Sequence, residues 1–434
     1  MTHGDAFQDI HPPFAPQEAV VEANRCLFCF DAPCTVACPT HIDVPRFIKK
    51  IATNNLRGSA AAILESNILG SSCSRVCPVD VLCEGACVMH RYNKQPIEIG
   101  RLQRYSMDHF YANGAKLPMN GVVERKERIA CIGGGPASLA CGAELRRHGF
   151  QVTIFDAQPL AGGLNTYGVA QYKMRPSDSL REVELIRSMG VHFEQNVQIP
   201  AGMPLELLEK RFDAIFIGVG LGPTESPGLA GEQTSGVVDA LHFIAGYKTG
   251  RVTQISGRVV VIGGGNTAID AANAAHLLGA DEVHMLYRRS EKEMPAFPFE
   301  YKHAKQHRIR FHWLTLPVAI HGGEKVTGVE CLRTQLGSPD KTGRRQPEPI
   351  EGSNFTIPCD IVIPALGQTR LLPLLEQLRG VELCDGRVVT NAATGQTKNP
   401  KYFAGGDCVN GGREVVDAVA DGKRAGQGIA AWLT

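Results

Sequence analysis

The 434-residue chain has no apolar run approaching 18 residues, which excludes a membrane-spanning helix. It has almost no net charge, since 45 Lys and Arg against 44 Asp and Glu leave +1. That balance excludes nucleic acid or an anionic membrane as the main partner. The opening Met-Thr-His-Gly-Asp lacks the basic and apolar pattern of a secretion leader, so a cytoplasmic location is expected. No low-complexity tract interrupts the chain. The 14 His are dispersed, and no His/Asp/Ser set suggests hydrolysis. The cysteines at 131, 141, 331, 359, 384 and 408 form no C-x2-C or C-x4-C pair, so a disulfide reductase is not expected.

What is present is cysteine in one place and glycine in several. Eight of the 14 cysteines lie between Cys26 and Cys87. They read C-x2-C-x4-C-x3-C-P at Cys26, Cys29, Cys34 and Cys38, then C-x3-C-P-x5-C-x3-C at Cys73, Cys77, Cys83 and Cys87. Without a secretion pattern, such spacing points to metal and not to disulfides. Zinc sites usually pair two C-x2-C units or use His. Here only one C-x2-C occurs, and two cysteines precede proline, as in bacterial ferredoxins. The expectation is two [4Fe–4S] clusters. One partition groups Cys26, Cys29, Cys34 and Cys87. The second site then takes Cys38, Cys77 and Cys83 and lacks a ligand. Cys73 and Gln103 are the candidates, and chemistry alone favours the thiolate. Val44–Asn55 and Ser59–Asn67 carry helical apolar spacing, so residues 1–120 are expected to form an α-helical cluster domain.

After a linker, Ala112–Arg128, the chain repeats itself. Ile129–Pro136 and Val259–Asn266 are the same device about 130 residues apart: apolar strand, glycine turn, Ala-rich helix. Second strands follow at Gln151–Asp156 and Glu282–Tyr287, giving two βαβ units. Asp213–Gly220 and Asp360–Gly367 echo each other as return strands. The predicted class is α/β, with two Rossmann-like domains behind the helical one. The expected boundaries are 121–235 with 351–434 for an FAD domain, and 236–350 for an NAD(P)H domain.

The first fingerprint is Gly133-x-Gly135-x-x-Ser138, with Pro136 and Ala137 opening the helix and Asp156 placed for ribose hydroxyls. Ser138 departs from the usual Gly or Ala. Gly163, Leu164 and Gly220 are further candidates for the FAD side. Tyr402-Phe-Ala-Gly-Gly406-Asp407 is similar to the closing motif of two-domain flavoproteins, where the Asp holds the ribityl chain. The helix near Val415–Trp432 is expected to aim its positive end at the flavin. The second fingerprint is Gly263-x-Gly265-Asn266-Thr267-Ala268, with Gly367 on its return strand. Where an acid would meet ribose stands Tyr287-Arg288-Arg289. Two guanidinium groups suit a 2′-phosphate, so NADPH is expected over NADH.

Glu22-Ala-Asn-Arg-Cys26, Asp31-Ala-Pro-Cys34, Ser72-Cys-Ser-Arg-Val-Cys-Pro78, Gly263–Asp270 and Tyr287–Pro295 carry a resemblance over roughly residues 15–434. They are similar to the FAD/NAD(P)H subunits shared by dihydropyrimidine dehydrogenases and the glutamate synthase small subunit. Pro96-Ile-Glu-Ile-Gly-Arg-Leu-Gln103 resembles most the pyrimidine enzymes and their stand-alone bacterial (PreT-type) subunit. The resemblance implies Gln103, not Cys73, as the eighth ligand. It implies hydride transfer to FAD with no catalytic side chain, and electron exit through the clusters. The implied partner is an FMN and iron–sulfur (PreA-like) subunit that reduces uracil or thymine, in a hetero-oligomer such as a heterotetramer. The alternative partners are those of glutamate synthase or another NADPH-dependent electron-transfer complex.

Overall fold

The computed structural model describes residues 7–119, 121–339 and 343–434. The opening five residues read above lie outside it. Residues 7–127 contain helices and no strand among the described residues. The main ones are Pro16–Asn24, Val44–Ala52, Leu56–Ser66, Gly70–Val76 and Ile99–Ala112. Val44, Phe47, Ile48 and Ile51 bury one stripe of their helix, the spacing expected of a core-facing helix. Its start is capped by Asp43, whose Oδ1 accepts the Arg46 N–H at 3.1 Å. It stops short of Asn55 because Asn54 takes a φ of 56° and Asn55 caps the next helix through Gly58 N at 2.9 Å.

The strands in chain order are β1 (Arg128–Ile132), β2 (Gln151–Asp156), β3 (His192–Gln195), β4 (Ala214–Ile217), β5 (Arg258–Ile262), β6 (Glu282–Tyr287), β7 (Arg310–Trp313), β8 (Thr315–Gly322), β9 (Val326–Pro339), β10 (Arg345–Pro349), β11 (Phe355–Pro358), β12 (Ile361–Pro364), β13 (Leu383–Cys384), β14 (Arg387–Val388) and β15 (Tyr402–Ala404). A parallel sheet runs β15-β4-β1-β2-β3 and a second runs β12-β5-β6-β7. β8, β10 and β11 pair antiparallel with β9. Ile129–Ile132 and Val259–Ile262 are buried throughout, as parallel strands covered on both faces must be.

The two opening aspartates do the same work. Asp213 Oδ2 accepts the Arg128 N–H at 2.7 Å, and Asp360 Oδ2 accepts the Arg258 N–H at 2.8 Å. Each clasps the start of an interior strand of its own sheet, where that backbone N–H would otherwise lack a partner.

The chain forms two compact units. One comprises Asp9–Thr166, Lys173–Leu221 and Arg370–Thr434, and joins the helical cluster region to the first sheet. The other comprises Tyr167–Tyr172 and Gly222–Thr369 with Phe7 and Gln8. The second unit is wider than 236–350 because β12 pairs β5, which keeps the return strand with its own sheet. Its two ends meet, the Gly222 N–H donating to Thr369 O at 2.9 Å. In the first unit the Val415–Leu433 helix lies against Pro136–Arg147. A Cβ on Gly422 would stand 2.0 Å from Ala137 O, so only glycine permits that approach.

Candidate cofactor sites

The two fingerprint turns are built alike. Gly133 (φ 90°) and Gly263 (φ 149°) make the sharp exits from β1 and β5. The Gly133 N–H donates to Phe155 O at 2.8 Å and the Gly263 N–H to Leu286 O at 3.0 Å. Gly135 and Gly265 then stand at the N-caps of Pro136–Arg147 and Asn266–Leu277. Those helix starts leave backbone N–H groups without intrahelical partners, which suits a pyrophosphate. In the first turn Ala137 is buried, and Gly163 packs so close to Gly135 that a Cβ on it would lie 2.8 Å from the Gly135 Cα. Leu164 opens a short helix with its side chain partly exposed. Gly220 has a φ of 66° and nothing within 4 Å of its Cβ position. Asp156 ends β2 beneath Gly134, where a Cβ would sit 2.2 Å from its Oδ2; burial raises its pKa. These are the dimensions of a nucleotide cradle that fits FAD.

Ser138 uses room that Gly218 leaves, since a Cβ there would lie 2.2 Å from its Oγ. Asp407 follows Gly406 (φ 75°), and its Oδ1 accepts the Arg413 N–H at 3.3 Å. Burial raises its pKa, and Asp421 and Asp417 add to that. The Val415–Leu433 helix already carries Glu414 at its N-cap and Asp417 in its first turn. The positive end expected for the flavin is therefore partly answered by the chain's own carboxylates.

The second turn differs where it should meet ribose. Ile132 pairs Phe155 and Ile262 pairs Leu286, so Asp156 and Tyr287 are equivalent residues. A Cβ on Gly264 would touch the Tyr287 ring at 2.5 Å. Of the arginine pair only Arg288 is exposed. Arg289 is 7% exposed, and its Nε donates to Arg345 O at 2.8 Å. It braces a hairpin, a role that no local motif signals. Asn266 Oδ1 accepts the Phe297 N–H at 3.0 Å, fixing the segment after Pro295. Thr267 is exposed. Gly367 has a φ of 119°, and its carbonyl accepts the Glu225 N–H at 2.9 Å. Arg344 also reaches this corner, its Nη2 lying 3.4 Å from Tyr287 Oη. It stands in a hairpin far along the chain with no motif around it, so no sequence signal marked it.

In the helical region Cys26, Cys29, Cys34 and Cys87 line one pocket, closed by apolar side chains including Val44, Ile48 and Ile99. Burial pushes the Cys34 thiol up to about 12, and Cys26 and Cys87 push the same way. Burial also raises Cys26, with Cys29 and Cys87 adding to it. Cys77 forms a second group. A hydrogen bond with Cys73 raises it first, then burial, then the nearness of Cys73, Cys83 and Cys38. Burial likewise raises Cys83, with Glu84 and Cys38 adding.

Crowded, buried thiols of this kind become thiolates only against a strongly cationic core. Thiols spread around a pocket fit an iron–sulfur cluster. Cys73 is buried and its Sγ accepts Asn67 Nδ2 at 3.2 Å. Gln103 is buried on the Ile99–Ala112 helix, its Nε2 donating to Gly70 O at 2.8 Å. All 14 cysteines are free thiols.

A sequence profile described as pyridine nucleotide-disulphide oxidoreductase matches residues 127–422. The chain belongs to that family. In front of it, residues 3–115 match the profile of dihydropyrimidine dehydrogenase domain II, 4Fe-4S cluster. The putative oxidoreductase AegA of Escherichia coli K12 is 38% identical over 98% of this chain and 67% of its own length. The glutamate synthase [NADPH] small chain of the same organism is 36% identical over 98% of this chain and 94% of its own. Mycobacterium tuberculosis FprA, solved in complex with NADPH, shares the fold, with a TM-score of 0.57 at 20% identity over 71% of this chain and 85% of its own. This family member is thus an iron–sulfur flavoprotein oxidoreductase. No helix among the described residues is long and apolar enough to cross a membrane.

Proposed function

We propose that the chain oxidises NADPH on bound FAD and passes the electrons singly, through two [4Fe–4S] clusters, to a partner subunit in the cytoplasm. The observation that carries this is the seam inside the first unit. Ser72, the neighbour of Cys73, accepts a hydrogen bond from Asn165 Nδ2 at 3.0 Å, two residues past Gly163. Glu182 closes the same seam, its Oε1 accepting Ser71 N–H at 2.8 Å and Ser72 N–H at 3.0 Å. The helix that leads to Cys77 is thereby fastened to the flavin-side loop.

The bound groups would supply hydride acceptance and one-electron steps. The chain's own residues bind and orient them. The Gly133–Ala137 turn would hold the FAD pyrophosphate, Asp156 its ribose and Asp407 its ribityl chain. The Gly263–Thr267 turn would hold the nicotinamide nucleotide, with Arg288 at its 2′-phosphate. Cys26, Cys29, Cys34 and Cys87 would hold one cluster, and Cys38, Cys77, Cys83 and Gln103 the other. No side-chain acid or base is needed for hydride transfer itself.

The extent of identity to the glutamate synthase small chain favours a glutamate synthase-type partner over the pyrimidine-reducing one expected from Gln103. The match of residues 3–115 to the dihydropyrimidine dehydrogenase profile supports the second reading. Isolation of the native complex separates them. The first predicts NADPH-dependent glutamate formation by the purified hetero-oligomer; NADPH-dependent uracil reduction would replace it with the second.

A further inference from the structure

The corner where Asp156 has become Tyr287 holds more positive charge than the Tyr-Arg-Arg motif accounts for. Tyr287 Oη donates to Glu293 O at 2.8 Å, which pins the phenol beneath the Gly263–Gly265 turn. Arg344 Nη2 reaches that same oxygen at 3.4 Å. Arg344 precedes β10, and the β9–β10 hairpin is tied to the end of β6 at two points, with a third tie from the β7–β8 link. Arg289 Nε donates to Arg345 O at 2.8 Å. Thr334 Oγ1 donates to Arg288 O at 2.8 Å, and Leu314 N–H donates to Arg289 O at 3.0 Å. The hairpin is therefore held against the ribose position. One carboxylate close to Arg345 is that of Glu293. It accepts from the Ser290 hydroxyl, which lowers its pKa most, with Arg345 contributing.

We propose that Arg344 is a specificity-determining residue that grips the nucleotide 2′-phosphate from the hairpin side, opposite Arg288. Arg289 holds the hairpin in place and makes no phosphate contact. The position equivalent to Asp156 is where ribose hydroxyls are read in this fold. A guanidinium beside it offers planar, charge-assisted hydrogen bonds to phosphate. NADH brings no 2′-phosphate to that guanidinium. The inference rests on the NADPH reading and adds to it the residue that enforces the choice.

The test uses the full chain with its flavin and iron, assayed by dye reduction with NADPH and with NADH. Arg344→Gln is expected to lower the NADPH-to-NADH ratio of kcat/KM about tenfold, the loss of one charge-assisted hydrogen bond. The loss should fall on KM for NADPH and not on kcat. Inhibition by 2′,5′-ADP should weaken by a similar factor while inhibition by 5′-AMP stays the same. Arg344→Lys should recover part of the ratio. Arg345→Gln serves as control, because that side chain is turned to Leu336 O and Gly337 O. If the wild type prefers NADPH and Arg344→Gln keeps the ratio within twofold, the assignment of Arg344 is wrong and the NADPH reading stands. A wild type that prefers NADH overturns both.

Discussion

Asp156 and Tyr287 occupy one register position in two copies of the same turn, each the residue after the strand pair Phe155–Ile132 or Leu286–Ile262. The carboxylate suits a ribose with free hydroxyls, whereas the phenol with its guanidinium neighbours suits one that carries phosphate. The two arginines after Tyr287 then have separate duties. Arg288→Ala is expected to raise KM for NADPH about tenfold or more at unchanged thermal midpoint. Arg289→Ala is expected to lower the midpoint, since it unhooks the hairpin. Steady-state kinetics and a melting curve on each variant check this; a KM effect confined to Arg289 would reverse the roles.

Iron content separates the candidates for the eighth ligand. Gln103→Ala should lose about half the iron and sulfide, whereas Cys73→Ala should keep it, its thiol serving only to brace Cys77 while accepting Asn67 Nδ2. Cys29→Ser and Cys83→Ser should each remove one cluster and leave the other. Anaerobic iron and sulfide analysis decides the matter, and iron loss in Cys73→Ala alone would assign the thiolate.

Two glycine-to-alanine changes should fail in different ways. Gly134→Ala drives a methyl into the Asp156 carboxylate and should yield chain with little bound flavin. Gly422→Ala forces apart two packed helices and should cost roughly 1–3 kcal/mol of stability. Flavin absorbance per polypeptide and the thermal midpoint report the two effects.

Glu182 makes stability depend on pH. Burial raises its pKa to about 7, against the pull of its Ser72 and Ser71 hydrogen bonds and of Arg75. An exposed glutamate titrates near ~4.3. Between those values the folded chain holds a proton that the unfolded chain has released. Stability from this group is thus greatest at low pH and falls as pH rises through the window. Glu182→Gln does not titrate, so the wild-type midpoint should decline relative to it between pH 5 and 7. Parallel curves would show that Glu182 keeps its ordinary pKa.

Much of this was legible because local rules dictate it. Gln151–Asp156 and Glu282–Tyr287 are strands at the expected bounds, and the glycine turns stand where their spacing puts them. Cys26, Cys29 and Cys34 line one pocket, as their short spacings allow, and Cys87 joins them from far along the chain. What was not legible depends on contacts distant in sequence. Arg289 looked like a phosphate ligand until β10 offered it a carbonyl. Arg344 is brought to Tyr287 only by the hairpin. The second unit reaches Thr369 because strand pairing, not composition, sets its end. The carboxylates at the start of the Val415–Leu433 helix were visible in sequence, but only the capping geometry shows them answering the helix end.

The hydrogen bond between Gly222 and Thr369 has a practical consequence. It brings the entry and exit of the donor-binding excursion to one spot, the arrangement that lets a segment be cut out and another grafted in. With its own aspartate clasp at Asp360, residues 222–369 would move as a cassette only together with Tyr167–Tyr172, which belongs to the same unit. Exchanging it should change which nicotinamide coenzyme feeds the flavin while the iron–sulfur wiring stays intact.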